Sequence, residues 1–461
     1  MRYFTLLVML CAALAPYSYA ADYFGTKSRE FALTGSTVID VPAALVKRLG
    51  EDKAVAKALE DADRYFHLIH FTSAYFIAHN LDGFARGSSF ETERIEKLAD
   101  GRYRVDFHGL MGGRTDLVDQ MTAKGLFRSG HRILVSMPVH PEKLSDEDWY
   151  DFEPESFKGD MVQFPVSIRP LPAESGDTYP DYRRLFEDGV LTISIFYGYD
   201  GPDPEDGPGG NDLQVAKAFY EKITQEAHRL QFSDPVHEHF GKIRNSTTFT
   251  RTMQVDMGDG PKPVEIRLKL FYRNSPKVMY HFRQELKTAD VLIYDGHSNY
   301  GEGFELSGSL FFSSPEDAQA LDGEMVRERT PDRYQIFFMN ACSSYGYYPD
   351  MFYQTLSRKN TGNLDVITTI NTADFADSVK TDAKLVNLLT ALVPHTREPL
   401  HQARSWSEIV ASLNAGLTAP TYYAVHGIAD NPRQPYGAGA APAAKSGKLR
   451  RPDRFRRRSA K

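Results

Sequence analysis

Two stretches of the sequence pair side chains capable of covalent chemistry with the small residues that would expose them. In VLIYDGHSNYGEG, residues 291–303, His297 follows an apolar run and sits among Gly296, Gly301 and Gly303. In FFMNACSSYG, residues 337–346, Cys342 follows a second apolar run, and the alanine and serines at 341, 343 and 344 leave room around the sulfur. A thiol becomes a strong nucleophile once ionised, and a nearby imidazole can take its proton and later protonate a leaving amine. Glycine beside the histidine permits unusual backbone dihedrals and close approach of a ligand.

The cysteine count sharpens this reading. MRYFTLLVMLCAALAPYSYA opens the chain with one early charge, an apolar stretch and a small-x-small ending, the pattern of a cleaved export signal over residues 1–20. Cys11 lies inside that stretch and leaves with it, so Cys342 is the one cysteine of the mature chain and has no internal disulfide partner. Outside the cytoplasm such a residue is a functional thiol, an intermolecular partner or a small buried hydrophobe. Export to the periplasm or medium is therefore expected.

Both residues need elements that deliver them to one place. From residue 189 the text alternates between short apolar runs and amphipathic stretches. GVLTISIFYGYD, PVEIRLKLFY, DVLIYDG, YQIFFMNAC and LDVITTINTA read as strands, while DLQVAKAFYEKITQEAHRL, SPKVMYHFRQELKTA and KTDAKLVNLLTAL read as helices. This predicts an α/β domain over 186–395, a mainly parallel sheet flanked by helices, because parallel strands need such crossovers. Ligands of open α/β sheets bind beyond the carboxyl ends of the strands, where His297 and Cys342 both fall.

A separate α+β region of unassigned fold is expected over 21–185. It reads as helices around VPAALVKRLG and from Asp52 to Leu81, strands at GRYRVDFHG and HRILVSMPVH, and long loops between Pro141 and Tyr182. Residues 396–435 read as an extension of the catalytic region, with a further strand end near Tyr422, Tyr423 and His426. Residues 436–461 form a disordered basic tail. KSGKLRRPDRFRRRSAK carries nine basic residues and one acid, so the formal net charge of −7 conceals about −15 elsewhere. The tail could bind an anionic envelope surface or remain solvated. The acidic body has no aromatic-interleaved basic patch, which argues against a specific nucleic-acid partner.

The strands ending in DGHS and NACSS, with histidine first and cysteine 45 residues later, resemble the caspase, gingipain and clostripain group of cysteine peptidases. That resemblance implies the caspase-haemoglobinase fold over about 189–395, a protein or peptide substrate, and a His-Cys dyad working through a thioester acyl-enzyme. It makes His297 the general acid/base and Cys342 the nucleophile. The family oxyanion hole uses the backbone N–H of the residue after the histidine and that of the cysteine, here Ser298 and Cys342. The family has glycine where this chain has Ser298; a serine keeps the donor, provided its dihedrals are tolerable. NACSS also departs from the QAC-plus-glycine signature of caspases themselves, and the match is closer to the bacterial branches.

The resemblance further implies that the loop NTADFADSV helps build the pocket for the residue before the scissile bond. Asp374 and Asp377 in that loop could pair with an arginine or lysine of the substrate, or could instead start the following helix. Competing readings keep the fold without catalysis, as a binding or assembly protein of the envelope, or use the thiol in a transpeptidase or amidase.

No cofactor is required by this chemistry. GYDGPDPEDGPGGNDL, residues 198–213, leaves calcium open as an alternative to a hydrated loop, since it gathers Asp200, Asp203, Glu205, Asp206 and Asp212 without the spacing of a helix-loop-helix calcium site. His67 with His70 and His237 with His239 each fall short of the three or four ligands zinc needs. GDGPKP and GEGFELSG lack the spacing and context of a nucleotide-binding glycine loop.

Overall fold

The computed structural model describes residues 23–437 apart from several segments, the longer being 62–71, 139–153, 199–210, 312–331, 372–377 and 394–399. Within these limits the chain forms two sheets of very different character.

The first is a five-stranded antiparallel sheet from the N-terminal region, in the order β3-β4-β2-β6-β5. Its strands are β2 (Ser28–Ile39), β3 (Ser89–Lys97), β4 (Tyr103–Arg114), β5 (Arg132–Pro138) and β6 (Met161–Pro170). Alternation is clear in β4, where Tyr103, Val105, Phe107 and Met111 are buried and Arg104 is exposed. One face therefore packs inward, as period-two patterning requires. Helices α1 (Ala43–Leu49), α2 (Glu51–Asp61) and α3 (Leu117–Ala123) accompany this sheet. The expected helices stand as α1 and α2, but strands β1 (Tyr23–Phe24) and the 12-residue β2 precede them, and β6 lies inside the passage read as loops. Its Pro165 and Pro170 and the polar start of β2 mask a strand pattern that exists only once the partner strands supply an apolar face.

The second sheet has nine strands, in the order β1-β16-β15-β14-β11-β7-β10-β9-β8. Its centre is β7 (Val190–Tyr197), β11 (Val291–Asp295), β14 (Gln335–Asn340) and β15 (Leu364–Thr369), with β10 (Pro261–Phe271) on the far side of β7. These five run parallel to one another. Their central members are apolar and buried on both faces, as helix-covered parallel strands must be. Helices α4 (Asn211–Arg229) and α6 (Ser378–Leu392) pack on one face through Ile223, Leu385 and Leu389, against Ile193, Ile293 and Phe338. Helix α5 (Val278–Thr288) covers the other through Phe282 and Leu286, against Leu292, Tyr294 and Phe337.

The five strands expected are the parallel ones, and the sheet as a whole is mixed because further strands join it. β8 (Val236–Phe240), β9 (Ile243–Asp256), β16 (Tyr423–His426) and β1 (Tyr23–Phe24) all join antiparallel at its edges. The Thr-rich polar text of β9 carries no continuous apolar signal, so its strand character is set by its pairing with β10. β1 belongs to this sheet although it lies in the N-terminal region, and Ser28 Oγ ties the two sheets by donating to the Tyr423 carbonyl at 3.0 Å. No helix among the described residues is long and apolar enough to cross a membrane.

Candidate functional site

Among the five parallel strands, chain order and spatial order differ in one respect. β7 comes first but lies between β10 and β11, so the connection from β7 runs to β10 and that from β11 runs the other way to β14, which puts the topological switch point between the carboxyl ends of β7 and β11. β11 and β14 are neighbours, with Asp295 and Asn340 directly opposite as their last residues. His297 and Cys342 each lie two residues beyond that register pair, on strands about 4.8 Å apart. Both are half-buried, and Cys342 is not in a disulfide.

The turn carrying Cys342 is fixed from several sides. Ser343 adopts the left-handed conformation, φ 50° and ψ 31°, which costs a non-glycine residue about 1–2 kcal/mol. Its N–H donates to the Asn371 carbonyl at 3.1 Å. Ser344 Oγ donates to the Met339 carbonyl at 2.7 Å and accepts from the Thr369 N–H at 2.8 Å, joining the turn to β14 and β15. Tyr345 Oη donates to Glu30 Oε1 of β2 at 2.6 Å, so the N-terminal sheet also bears on this turn. The left-handed residue beside Cys342 is thus held in place by bonds from several surrounding segments.

The histidine side is held by its own backbone. The Gly198 N–H donates to the Asp295 carbonyl at 2.6 Å, and the Gly296 N–H to the Asn340 carbonyl at 3.3 Å. Tyr294 Oη donates to the His297 carbonyl at 2.9 Å, and Tyr348 Oη to the Ser298 carbonyl at 2.7 Å. Ser298 is buried and is not among the positive-φ residues, so serine stands there without backbone strain.

Just before His297 and Cys342 lies a polar pair that sequence reading did not single out. Asp295 and Asn340 are fully buried, and Asn340 Nδ2 donates to Asp295 Oδ1 at 2.6 Å. Among the described residues, Asp295 Oδ2 has no hydrogen-bond partner. Burial pushes the Asp295 carboxyl up to about 7, against the opposing pull of Asn340, Lys384 and His297. Burial likewise raises the Tyr348 phenol well above its usual range, assisted by Tyr294, Tyr347 and Cys342. The visible signal for Asp295 was a carboxylate ending an otherwise apolar strand; its partner depends on register and was not legible.

Other expected residues fall elsewhere. Asp374 and Asp377 lie outside the described residues, as do the acidic loop from 199 to 210, His67 and His70, residues 1–20 read as an export signal, and the basic stretch beyond 437. His237 shares a hydrogen bond with Thr247 Oγ1 at 2.7 Å, its ring 6.4 Å from that of His239. His426 Nε2 shares one with Thr368 Oγ1 at 2.9 Å. Among the described residues, no three His, Cys, Asp or Glu side chains gather as metal ligands.

The fold and site thus define an α/β protein that presents a thiol and an imidazole from adjacent parallel strand ends. Comparison with family models, curated proteins and solved structures returned no match to this chain.

Proposed function

We propose that this chain is an exported cysteine endopeptidase of caspase-haemoglobinase type. The observation that carries the reading is the pairing of Asp295 with Asn340 as the last residues of adjacent parallel strands, with His297 and Cys342 each two residues beyond. The strand order supports it further: taken in chain order, β7, β10, β11, β14, β15 and β16 lie as 2-1-3-4-5-6, the sixth antiparallel. On this reading the histidine ends the third strand of that series and the cysteine the fourth.

In the proposed reaction, His297 takes the Cys342 proton and the thiolate attacks the peptide carbonyl carbon. The resulting oxyanion accepts hydrogen bonds from the backbone N–H groups of Ser298 and Cys342. Collapse breaks the C–N bond, the imidazolium gives its proton to the departing amine, and a thioester remains on Cys342. His297 then deprotonates a water that attacks the thioester, releasing the carboxylic acid and returning the thiol. Substrate preference for a basic residue before the scissile bond, through Asp374 and Asp377, belongs to the same proposal, as does attraction of the basic tail to an anionic envelope surface.

The test is labelling with a peptidyl electrophile, read together with peptide hydrolysis. Wild-type protein should be labelled on Cys342 and cleave peptides. Cys342→Ala should lose both, and His297→Ala should lose roughly 10²- to 10⁴-fold in turnover. Hydrolysis that survives in Cys342→Ala removes the dyad. Wild-type protein that neither labels nor cleaves leaves the noncatalytic envelope protein as the better reading.

A further inference from the structure

Two buried tyrosines reach the backbone of the same short segment from below. Tyr294 and Tyr348 are both fully buried, and each spends its hydroxyl hydrogen on a main-chain carbonyl, that of His297 and that of Ser298 respectively. The position of Tyr294 is provided for by two glycines. A Cβ on Gly296 would stand 2.6 Å from Tyr294 Oη, and one on Gly198 2.7 Å from it. The same hypothetical atoms would stand 2.8 and 2.9 Å from the Cα of the other glycine, so β7 and β11 approach closely where the phenol passes. The glycine of DGHS and that of FYGYD therefore share a role: they make space for a tyrosine hydroxyl under the histidine.

The consequence follows from peptide geometry. In a trans peptide the C=O and N–H of one unit point in opposite directions. Anchoring the His297 carbonyl to Tyr294 fixes the plane of the 297–298 peptide, so the Ser298 N–H points away from that phenol. Anchoring the Ser298 carbonyl to Tyr348 fixes the next plane. Ser298 is held at both ends, and its N–H direction does not depend on the residue being glycine.

We infer that Tyr294 and Tyr348 are positioning residues for an oxyanion hole, aligning the Ser298 N–H as a donor where serine replaces glycine. This deepens the peptidase reading and rests on it. It assigns the two phenols to the stage at which negative charge develops on the carbonyl oxygen, not to thiol ionisation. A preorganised donor contributes most at that stage, because it need not reorient as charge appears.

Tyr294→Phe and Tyr348→Phe each remove one oxygen and keep the ring. Alkylation of Cys342 by iodoacetamide creates no oxyanion, whereas a peptidyl aldehyde forms a tetrahedral adduct that does. In each variant alkylation should stay within about twofold of wild type. Aldehyde affinity and kcat should each fall roughly tenfold with KM little changed, below the roughly hundred- to thousandfold cost of losing a donor itself. Unchanged aldehyde affinity and kcat overturn the assignment. So does a parallel fall in alkylation and aldehyde binding, which a merely structural role would produce. The two anchors act on different carbonyls, so Tyr348→Phe carries the test alone should Tyr294→Phe fail to fold. Wild-type protein that is alkylated on Cys342 yet binds no peptidyl aldehyde and cleaves no peptide removes the peptidase reading and this inference together.

Discussion

The nine-stranded sheet buries a carboxylic acid at each end, and the two are held differently. Asp365, near the start of β15, has Oδ2 as acceptor for two donors, the Tyr334 hydroxyl and Asn431 Nδ2, and stitches three chain segments together. Close by, Asp290 accepts from the Thr192 N–H at 2.7 Å and pairs with Arg333. At the opposite end Asp295 has a single donor, on Oδ1, and His297 two residues beyond it; among the described residues Asp295 Oδ2 and Asp365 Oδ1 alike have no hydrogen-bond partner. Burial raises both acids, Asp295 to about 7 and Asp365 well above the usual carboxylate range. Equal burial at the two ends thus serves two purposes. One acid takes two donors and closes a loop network, and the other takes one and lies two residues before His297, with a carboxyl whose charge changes near pH 7.

The largest effect expected of this difference is the share of the pH-dependent stability that Asp295 contributes, beside that of the likewise raised Asp365. An unfolded chain loses the Asp295 proton near 3.8, while the folded chain keeps it to about 7. Over that window the folded state binds the extra proton, so the stability Asp295 contributes falls as pH rises from about 4 to about 7 and is level beyond. At about 1.4 kcal/mol per pH unit the total is about 4 kcal/mol. The groups acting on Asp295 are Asn340, Lys384 and His297, and its own charge acts on Tyr423. Asp295→Asn keeps an acceptor for Asn340 and loses that share of the slope, so it should melt above wild type at pH 8. Its Cys342 alkylation above pH 7 should slow, because an ionised Asp295 favours the imidazolium that accompanies a thiolate. Equal loss of melting temperature between pH 4.5 and pH 8 in both proteins would count against a titrating Asp295.

Next in size is the closed end. Asp365→Ala leaves the Tyr334 hydroxyl and Asn431 Nδ2 buried without their acceptor, at about 1–3 kcal/mol each, so about 3 kcal/mol of stability should be lost. Denaturant unfolding measures it. Alkylation of Cys342 per folded molecule should be unchanged; a fall like that in Asp295→Asn would erase the distinction between the two ends.

What could be read in the sequence divides along the same line as the physics. Strands buried on both faces, such as Val190–Tyr197 and Gln335–Asn340, are continuous apolar runs and legible in isolation. So were the helices Asn211–Arg229 and Val278–Thr288, from their periodicity. Strands β2, β6 and β9 were not, because Thr, Ser, Arg and Pro within them are accommodated by partner strands that local text does not reveal. His297 and Cys342 were legible as chemistry. The Asp295–Asn340 pair, the Tyr294 and Tyr348 anchors and the left-handed Ser343 were not, since each depends on strand register or on a turn set by contacts distant in sequence.

Smaller effects sharpen the picture around the open end. Gly296→Ala would force its Cβ against Tyr294 Oη and the Gly198 Cα, overpacking at about 1–3 kcal/mol. Reactivity should suffer more than stability, because the displaced segment bears His297. A variant that melts lower but is alkylated and labelled like wild type would show that the close approach serves packing alone.

The smallest expected change tests the N-terminal sheet. Its β2 supplies Glu30 to Tyr345, three residues past Cys342, and Gly112 of β4 lies under the same ring, where a Cβ would meet Tyr345 Cδ1 at 3.2 Å. Glu30→Gln keeps an acceptor but removes its charge, weakening the bond by about 1 kcal/mol. If the N-terminal sheet helps to hold the Cys342 turn, alkylation should change by a small factor, roughly two- to fivefold, with little change in melting temperature. If that sheet is only a neighbour, Glu30→Gln will match wild type in alkylation at every pH. Support for the reactive turn would then come only from the nine-stranded sheet, through Asn371, Met339 and Thr369.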